Sequence, residues 1–495
     1  MKKSHLISLL LSVLLLTTLL GGFVFAAGAN LAPVDEITVY CPGDPPAKPD
    51  EVYAELNKRV KQDLNIKKVT IIFIPWSDLA SKTTVKLTAG DTGDLFFDAP
   101  WLHLDQMVAK NMYIPLDELL PKYGPGILKA IPGKMLDANK VDGKIYGLPI
   151  GFALGKICGL AYRADLGKKY GAPKVDSYAS LEKYFAAIVK NDPTIIPTTS
   201  NNDSPLFDDF FEKALSRMEI GPNGCMGYVL DNKKAKVLPF YQLPNYRQNL
   251  QRLQKWYRNG WIEQDILAQK DAKALWHSGR VAVYRSDAGI AMDGQMKAFV
   301  PSAEVGEWVP IFAKGQKPLT DFKQWNFMCI NRKSRNPERA LMFLNWLYGS
   351  QENYDLLVHG IKGKHWIDAG KGLYKFPAGY NPATEYLFPW YVLCGNPTQI
   401  RLDAGMNGDD LRMTRLSMDP NQFTASILTG FSFDVEPVKS EVAKCVALYS
   451  TKLLPLWDGV ATDIDAVTKA YQEAGYEKVI AEMQRQVNAF IARKK

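Results

Sequence analysis

The 495-residue chain has little of what most often carries chemistry. Its histidines, His5, His103, His277, His359 and His365, are scattered, and no His-Glu-x-x-His occurs among them, which excludes the common helical zinc-protease arrangement. There is no Gly-x-Ser-x-Gly elbow and no Walker loop, so serine hydrolysis and nucleotide use lack their usual apparatus. The cysteines, Cys41, Cys158, Cys225, Cys329, Cys394 and Cys445, include no Cys-x-x-Cys pair and are diluted over a long chain. That spacing argues against zinc and against a small disulfide scaffold. Cys41, Cys158 and Cys329 lie in apolar runs, so mostly reduced, structural thiols are expected. Charge of one sign is also lacking: the formal net charge is +8, with lysines and acids interspersed and no basic block, which excludes nucleic acid as a partner. Asp403 to Asp410 resembles a calcium loop, but Gly405 and Thr414 stand where carboxylate oxygen is wanted, so no metal is expected there. After the N-terminus no stretch approaches about 18 consecutive apolar residues, the length a membrane span needs.

What is present begins with a leader. Lys2 and Lys3 precede an apolar run from Leu6 to Leu20 and a small-residue stretch ending in Ala26, Ala27, Gly28 and Ala29, the pattern of a cleaved export signal over residues 1–29. The first cysteine, Cys41, lies beyond it, so the cleavage point has no cysteine for lipidation. The remaining chain is long enough for two lobes.

From Glu36 strand and helix signals alternate, which predicts an α/β fold with parallel or mixed sheets covered by helices. A strand over 37–40 is followed by the breaker Pro42-Gly43-Asp44-Pro45-Pro46 and a helix with Val52, Leu56, Val60 and Leu64 on one face. Strands over 69–74 and 95–97 complete a β-α-β-α-β unit. Further strands are expected over 159–162, 194–197, 281–284 and 327–330, and helices over 181–190, 246–259, 337–348 and 461–492.

In open α/β sheets ligands bind beyond the carboxyl ends of strands, so residues just after each strand are the candidates. Those are Trp76; Asp98 and Trp101; Asn201, Asn202 and Asp203; and Arg285 with Asp287. A Trp face covers the C–H side of a pyranose while carboxylates and amides take its hydroxyls, so this mixture suits a sugar. Taken singly, the same residues also read as loop anchors and helix caps, as do Asp91 and Asp98.

Several segments together resemble extracellular solute-binding proteins of the maltodextrin-binding type. They are Ala89-Gly90-Asp91-Thr92-Gly93-Asp94-Leu95, Tyr113-Ile114-Pro115-Leu116-Asp117, Asp142-Gly143-Lys144-Ile145-Tyr146-Gly147-Leu148-Pro149, Gly159-Leu160-Ala161-Tyr162-Arg163-Ala164-Asp165 and Asn331-Arg332-Lys333-Ser334-Arg335-Asn336-Pro337-Glu338, in the family's order. The tail, from Gly430-Phe431-Ser432-Phe433-Asp434 to Glu482-Met483-Gln484-Arg485-Gln486, resembles a lipoprotein-like Gram-positive subgroup. The missing lipobox cysteine departs from that subgroup.

The resemblance implies a two-lobed periplasmic-binding-protein-like fold of type II, each lobe a mixed sheet flanked by helices, with the chain crossing more than once. Lobe one would run over 30–149 and about 306–365, lobe two over 150–305 and about 366–495. It implies a hinge at Gly147, Pro149 and Gly151, a sugar in the cleft between the lobes, and delivery to the permease of an ABC importer, with no cofactor and a monomeric protein. Trp101 and Asp98 match the family's early cleft positions. Arg285, Ser286 and Asp287 stand where many relatives have a Trp, which points to a smaller or more polar sugar. Trp390 and Asn396, in Pro389-Trp390-Tyr391 and Gly395-Asn396-Pro397, match a subgroup signature placed over the cleft, or else pack as ordinary core. Two rivals remain: an exported carbohydrate-active hydrolase using Asp98 with Asp203, or the pairs Asp208-Asp209 or Asp409-Asp410, as its carboxylates, and a static sugar-binding surface module.

Overall fold

The computed structural model describes residues 32–494, apart from 152–154, 156, 201–203, 288–291, 314 and 383. The leader expected over 1–29 therefore lies outside the described residues. In chain order the strands are β1 (Val34–Pro42), β2 (Ile66–Ile74), β3 (Leu95–Asp98), β4 (Gly147–Pro149), β5 (Cys158–Arg163) and β6 (Ile196–Thr198). They continue with β7 (Met218–Ile220), β8 (Gly227–Val229), β9 (Val237–Leu238), β10 (Val281–Asp287), β11 (Val305–Trp308), β12 (Leu319–Thr320) and β13 (Phe327–Ile330). The chain divides into two compact units: residues up to 152 with 324–404, and 153–323 with 405–495.

The first unit is built on a five-stranded sheet in the order β2-β1-β3-β13-β4. β1 pairs parallel with β2 and with β3, as the β-α-β-α-β pattern predicts, and β13 runs antiparallel between β3 and β4. The helix Asp50–Leu64 buries Val52, Leu56, Val60 and Leu64. Each such side chain contributes about 1.5–3 kcal/mol when moved out of water. Every residue of β3 and β13 is buried, because these are the inner strands, whereas the edge strand β2 exposes Lys67 and Lys68. The helix Pro337–Tyr348 starts on Pro337, whose missing N–H is no loss in a first turn, and it buries Leu341, Phe343, Leu344 and Trp346.

The second unit has a four-stranded sheet in the order β11-β5-β10-β6 and a three-stranded sheet β7-β8-β9. Its core joins Leu160, Leu181, Tyr184, Phe185, Trp256 and Val283 with Trp457, Tyr471, Tyr476, Val479 and Met483 from the C-terminal helices. The helix expected over 461–492 is two, Ile464–Glu473 and Tyr476–Lys494, parted at Gly475 by a φ of 90° that only glycine adopts at little cost.

Two boundaries differ from expectation. The return to the first unit expected near Gly306 comes at Gln324, because β11 joins the second unit's sheet, with Gly306 opposite Tyr162. The departure expected near 365 follows Ala404. Arg401 holds that extension in the first unit, its guanidinium 2.9 Å from Asp355 and 3.4 Å from Asp368.

Candidate functional site: an aromatic rim at one end of a sheet

The topology of the first unit collects five loops at one edge of its sheet. The parallel strands β1, β2 and β3 end there, β4 ends there, and antiparallel β13 begins there, with Phe327 opposite both Asp98 and Pro149. Trp76 opens a short 3-10 turn after β2, and Trp101 lies in the loop after β3. Both rings stay substantially in water, at 47% and 51% exposure, as does Trp325 just before β13, at 57%.

These rings are held in place. The Trp76 and Trp101 centroids are 6.3 Å apart with planes 36° from parallel, and both rings rest on the buried Phe97 at 6.0 and 6.3 Å. Trp101 Nε1 donates to Asn326 Oδ1 at 3.1 Å. Exposing two large rings forgoes their burial, and fixing them at the same time leaves an apolar face ready for a flat partner such as the C–H side of a sugar ring.

Asp98 lies beneath this rim, and here the expectation is corrected. It is fully buried, and both carboxylate oxygens are occupied. Oδ1 accepts the Ala99 N–H at 2.7 Å; Oδ2 accepts the Tyr113 hydroxyl at 2.7 Å and lies 2.8 Å from His103 Nδ1. His103 Nε2 is in turn 2.8 Å from Thr83 Oγ1. Burial and the adjacent Asp98 push the Tyr113 phenol well above its ordinary range. A buried carboxylate with its acceptors engaged organises the loop carrying Trp101 rather than meeting a ligand.

Asn396 is corrected in the same way. It is fully buried, donating to the Tyr348 carbonyl at 3.1 Å and Gln399 Oε1 at 2.7 Å, while its own Oδ1 accepts from the Thr398 N–H and hydroxyl. It shapes a turn. Trp390 opens the 3-10 turn Trp390–Val392, but its side chain lies outside the described residues, as does that of Asp287 at the end of β10. Asn201, Asn202 and Asp203 lie wholly outside them.

The expected pivots Gly147 and Pro149 are strand residues of β4, paired with Cys329 and Phe327. Neither Gly147 nor Gly151 takes a positive φ. Close approach explains both: a Cβ on Gly147 would stand 2.8 Å from Phe327 Cβ and 2.9 Å from Cys329 Sγ, and one on Gly151 2.4 Å from Gln324 Oε1.

In the second unit Arg285, on β10, belongs to a buried ionic group. Its Nε is 3.8 Å from Asp209 Oδ1, the oxygen that also accepts from Lys213 Nζ at 2.7 Å and Ser204 Oγ at 2.9 Å. Asp209 sits on a single π-turn, Asp208–Glu212, a departure from α-geometry that often marks functional sites. Burial pushes the neighbouring carboxyls of Asp208 and Asp458 up to about 7. Among the described residues Asp208 Oδ1 has no hydrogen-bond partner, and no group of three or more His, Cys, Asp or Glu is placed to hold a metal.

Trp325, Asn326, Ser204 and Lys213 are not among the sequence candidates, and Asp209 is marked only as half of the candidate hydrolase pair Asp208-Asp209. For the first two a signal existed: Gln324-Trp325-Asn326 immediately precedes a strand, and the start of an antiparallel strand lies at the same edge as the ends of its parallel neighbours.

The family model for bacterial extracellular solute-binding proteins matches residues 52–360, and a second, a domain of unknown function (DUF3502), matches residues 427–492. A carbohydrate ABC transporter substrate-binding protein of Streptococcus pneumoniae is 25% identical over 95% of this chain and 93% of its own. Among solved structures, the N-glycan transport solute-binding protein of Streptococcus pneumoniae has a TM-score of 0.75 at 22% identity, covering 93% of this chain and 100% of that one. An extracellular solute-binding protein of Bifidobacterium longum subsp. infantis has a TM-score of 0.64 at 16% identity, covering 94% and 99%.

Proposed function

Because the chain belongs to the family of bacterial extracellular solute-binding proteins, whose model matches well over half of it, we propose that it captures a carbohydrate outside the cytoplasm and delivers it to the permease of an ABC importer. The observation that carries this reading is the fixed, exposed pair Trp76 and Trp101 at the carboxyl end of the first unit's sheet. Their faces stack on the ring of a monosaccharide or short oligosaccharide, Asn326 orients Trp101, and Trp325 extends the apolar rim. The second unit offers hydroxyl-binding chemistry through Arg285 and its ionic neighbours. The pneumococcal carbohydrate-transport relative supports the ligand class.

Closure around the bound sugar is what the permease reads. The chain is a monomer that binds without turnover, exported by a leader without a lipobox, and nucleic acid is no part of its work. Against the hydrolase reading stands the engagement of Asp98, whose oxygens serve Ala99, Tyr113 and His103 and are not free to act as a base or nucleophile. Among the described residues no helix is long and apolar enough to cross a membrane.

The test is a thermal-shift screen of the mature protein against monosaccharides, disaccharides and oligosaccharides, with amino acids, peptides and metal ions alongside. At least one sugar raises the melting temperature and binds at micromolar strength or tighter, which corresponds to about 8 kcal/mol. A shift given only by the non-sugar ligands refutes the reading.

A further inference from the structure

The second unit carries a pair of thiols that its proposed binding role does not use. Cys225 lies in the turn between β7 and β8, and Cys445 in the helix Lys439–Leu448. Both are buried, at 1% and 0% exposure, in the core that holds Tyr471, Tyr476, Val479 and Met483. Each thiol lies within hydrogen-bonding reach of the other.

Backbone packing brings the same two segments together independently. A Cβ on Gly224, the residue before Cys225, would stand 2.7 Å from Tyr449 Cβ, and Tyr449 is one turn beyond Cys445 on the same face of the helical segment. Tyr471 donates its hydroxyl to the Gly224 carbonyl at 3.1 Å, fixing the turn from the other side. Membership of an extracellular family places these thiols where disulfides form and persist.

We propose that Cys225 and Cys445 are a disulfide site, oxidised in the exported protein, which fastens the C-terminal helical segment to the β7-β8-β9 sheet. The bond would join the stretch matched by the solute-binding model, which includes Cys225, to the stretch matched by the domain of unknown function, which includes Cys445. The oxidant is a small or protein disulfide, R–S–S–R. The Cys445 thiolate attacks one of its sulfurs and expels R–S⁻, which takes up the proton Cys445 has lost. The Cys225 thiolate then attacks Cys445 Sγ in the mixed disulfide, forming the Cys225–Cys445 bond and releasing the second R–SH. Two thiols are oxidised, one disulfide is reduced, and two protons pass to the leaving thiols. Both sulfurs are buried in the folded chain, so the exchange takes place as the chain folds, before the helix Tyr476–Lys494 covers them.

The full-length protein, unfolded and reduced, is refolded with oxidised glutathione, denatured in an alkylating agent and mapped by peptide mass spectrometry. The expected result is a Cys225–Cys445 linked peptide that reductant abolishes, with Cys41, Cys158, Cys329 and Cys394 alkylated. The oxidised protein melts higher than the reduced one, and Cys225→Ser/Cys445→Ser loses that difference. Alkylation of all six cysteines, or a bond between any other pair such as Cys41 and Cys394, overturns the proposal. The peptide map uses the natural sequence, so it decides the matter even where the double variant fails to fold. It is also independent of whether any sugar binds.

Discussion

Trp101 and Asn326 are joined side chain to side chain, the indole N–H donating to the amide oxygen at 3.1 Å across 225 positions of sequence. One partner follows β3 and the other precedes β13, so the contact exists only because β13 returns antiparallel beside β3. In the proposed site the ring meets ligand and the amide sets its angle. Replacing Trp101 by Ala therefore weakens sugar binding by about 1–3 kcal/mol with little change in melting temperature. Asn326→Ala, which leaves the ring but frees it, weakens binding by about 0.5–1.5 kcal/mol. Isothermal titration against the sugar found by screening checks both. Poor folding of Trp101→Ala, with normal affinity in the protein that survives, would mark the ring as core.

Asp98→Ala has the opposite profile. It strands the Ala99 N–H, the Tyr113 hydroxyl and the His103 ring in a dry interior, and each orphaned group costs about 1–3 kcal/mol. A loss of about 3 kcal/mol or more in urea unfolding is expected. A variant with the wild-type midpoint and no sugar affinity would return Asp98 to the list of ligand contacts.

Gly147→Ala separates packing from pivoting. The added methyl meets Phe327 Cβ and Cys329 Sγ inside the sheet, and overpacking of that kind costs about 1–3 kcal/mol. Stability falls in denaturant titration while sugar affinity in the folded fraction is kept. Unchanged stability with altered affinity is the signature of a hinge instead.

How much of this was legible in the sequence depends on how far apart in the chain the cause lay. The period-four run Val52, Leu56, Val60, Leu64 and the alternation around it gave β1, β2 and β3 with their parallel pairing, since those are local patterns. The position of Trp76 and Trp101 at that sheet edge is legible from strand ends alone. Asp98 was misjudged because Tyr113 and His103 come to it through the packing of separate elements, and no local pattern announces that a carboxylate will be saturated. Trp325 and Asn326 were passed over because the direction of β13 is a property of the sheet. The return at Gln324 was placed too early for a related reason: β11 could close one unit or reopen the other, and its register against β5 decides.

Glu307 gives stability a pH dependence of known sign. Burial, reinforced by Asp410, pushes its carboxyl up to about 8, and Ser286 donates to it at 2.8 Å. In the unfolded chain the group titrates at its ordinary value of 4.5. Between those values the folded state holds the proton that the unfolded state has lost, so this contribution is complete below 4.5 and is lost as pH rises through 8. Glu307→Gln carries no such slope. The melting temperature of the variant relative to wild type therefore climbs between pH 5 and pH 9, and a flat or falling difference contradicts the raised carboxyl.

Closure is checked by small-angle scattering with and without the cognate sugar. Moving a population from 1:99 to 99:1 takes about 5.5 kcal/mol of differential affinity, within the roughly 8 kcal/mol of micromolar binding. A smaller radius of gyration at saturation is expected. An unchanged radius favours a static module.

The place of β13 in the first unit's sheet also sets the order in which the protein can be made. Its neighbours β3 and β4 are complete by residue 149, yet the strand that lies between them ends at Ile330, after most of the second unit has been synthesised. Until then β3, with Leu95, Phe96 and Phe97, has an open edge of the kind that pairs with a stranger. Synthesis from the N-terminus leaves the early segment unfinished until residue 330 has been made. Truncation between residues 149 and 330, which makes β3 and β4 but not the strand between them, is therefore expected to yield an aggregate instead of a half-protein.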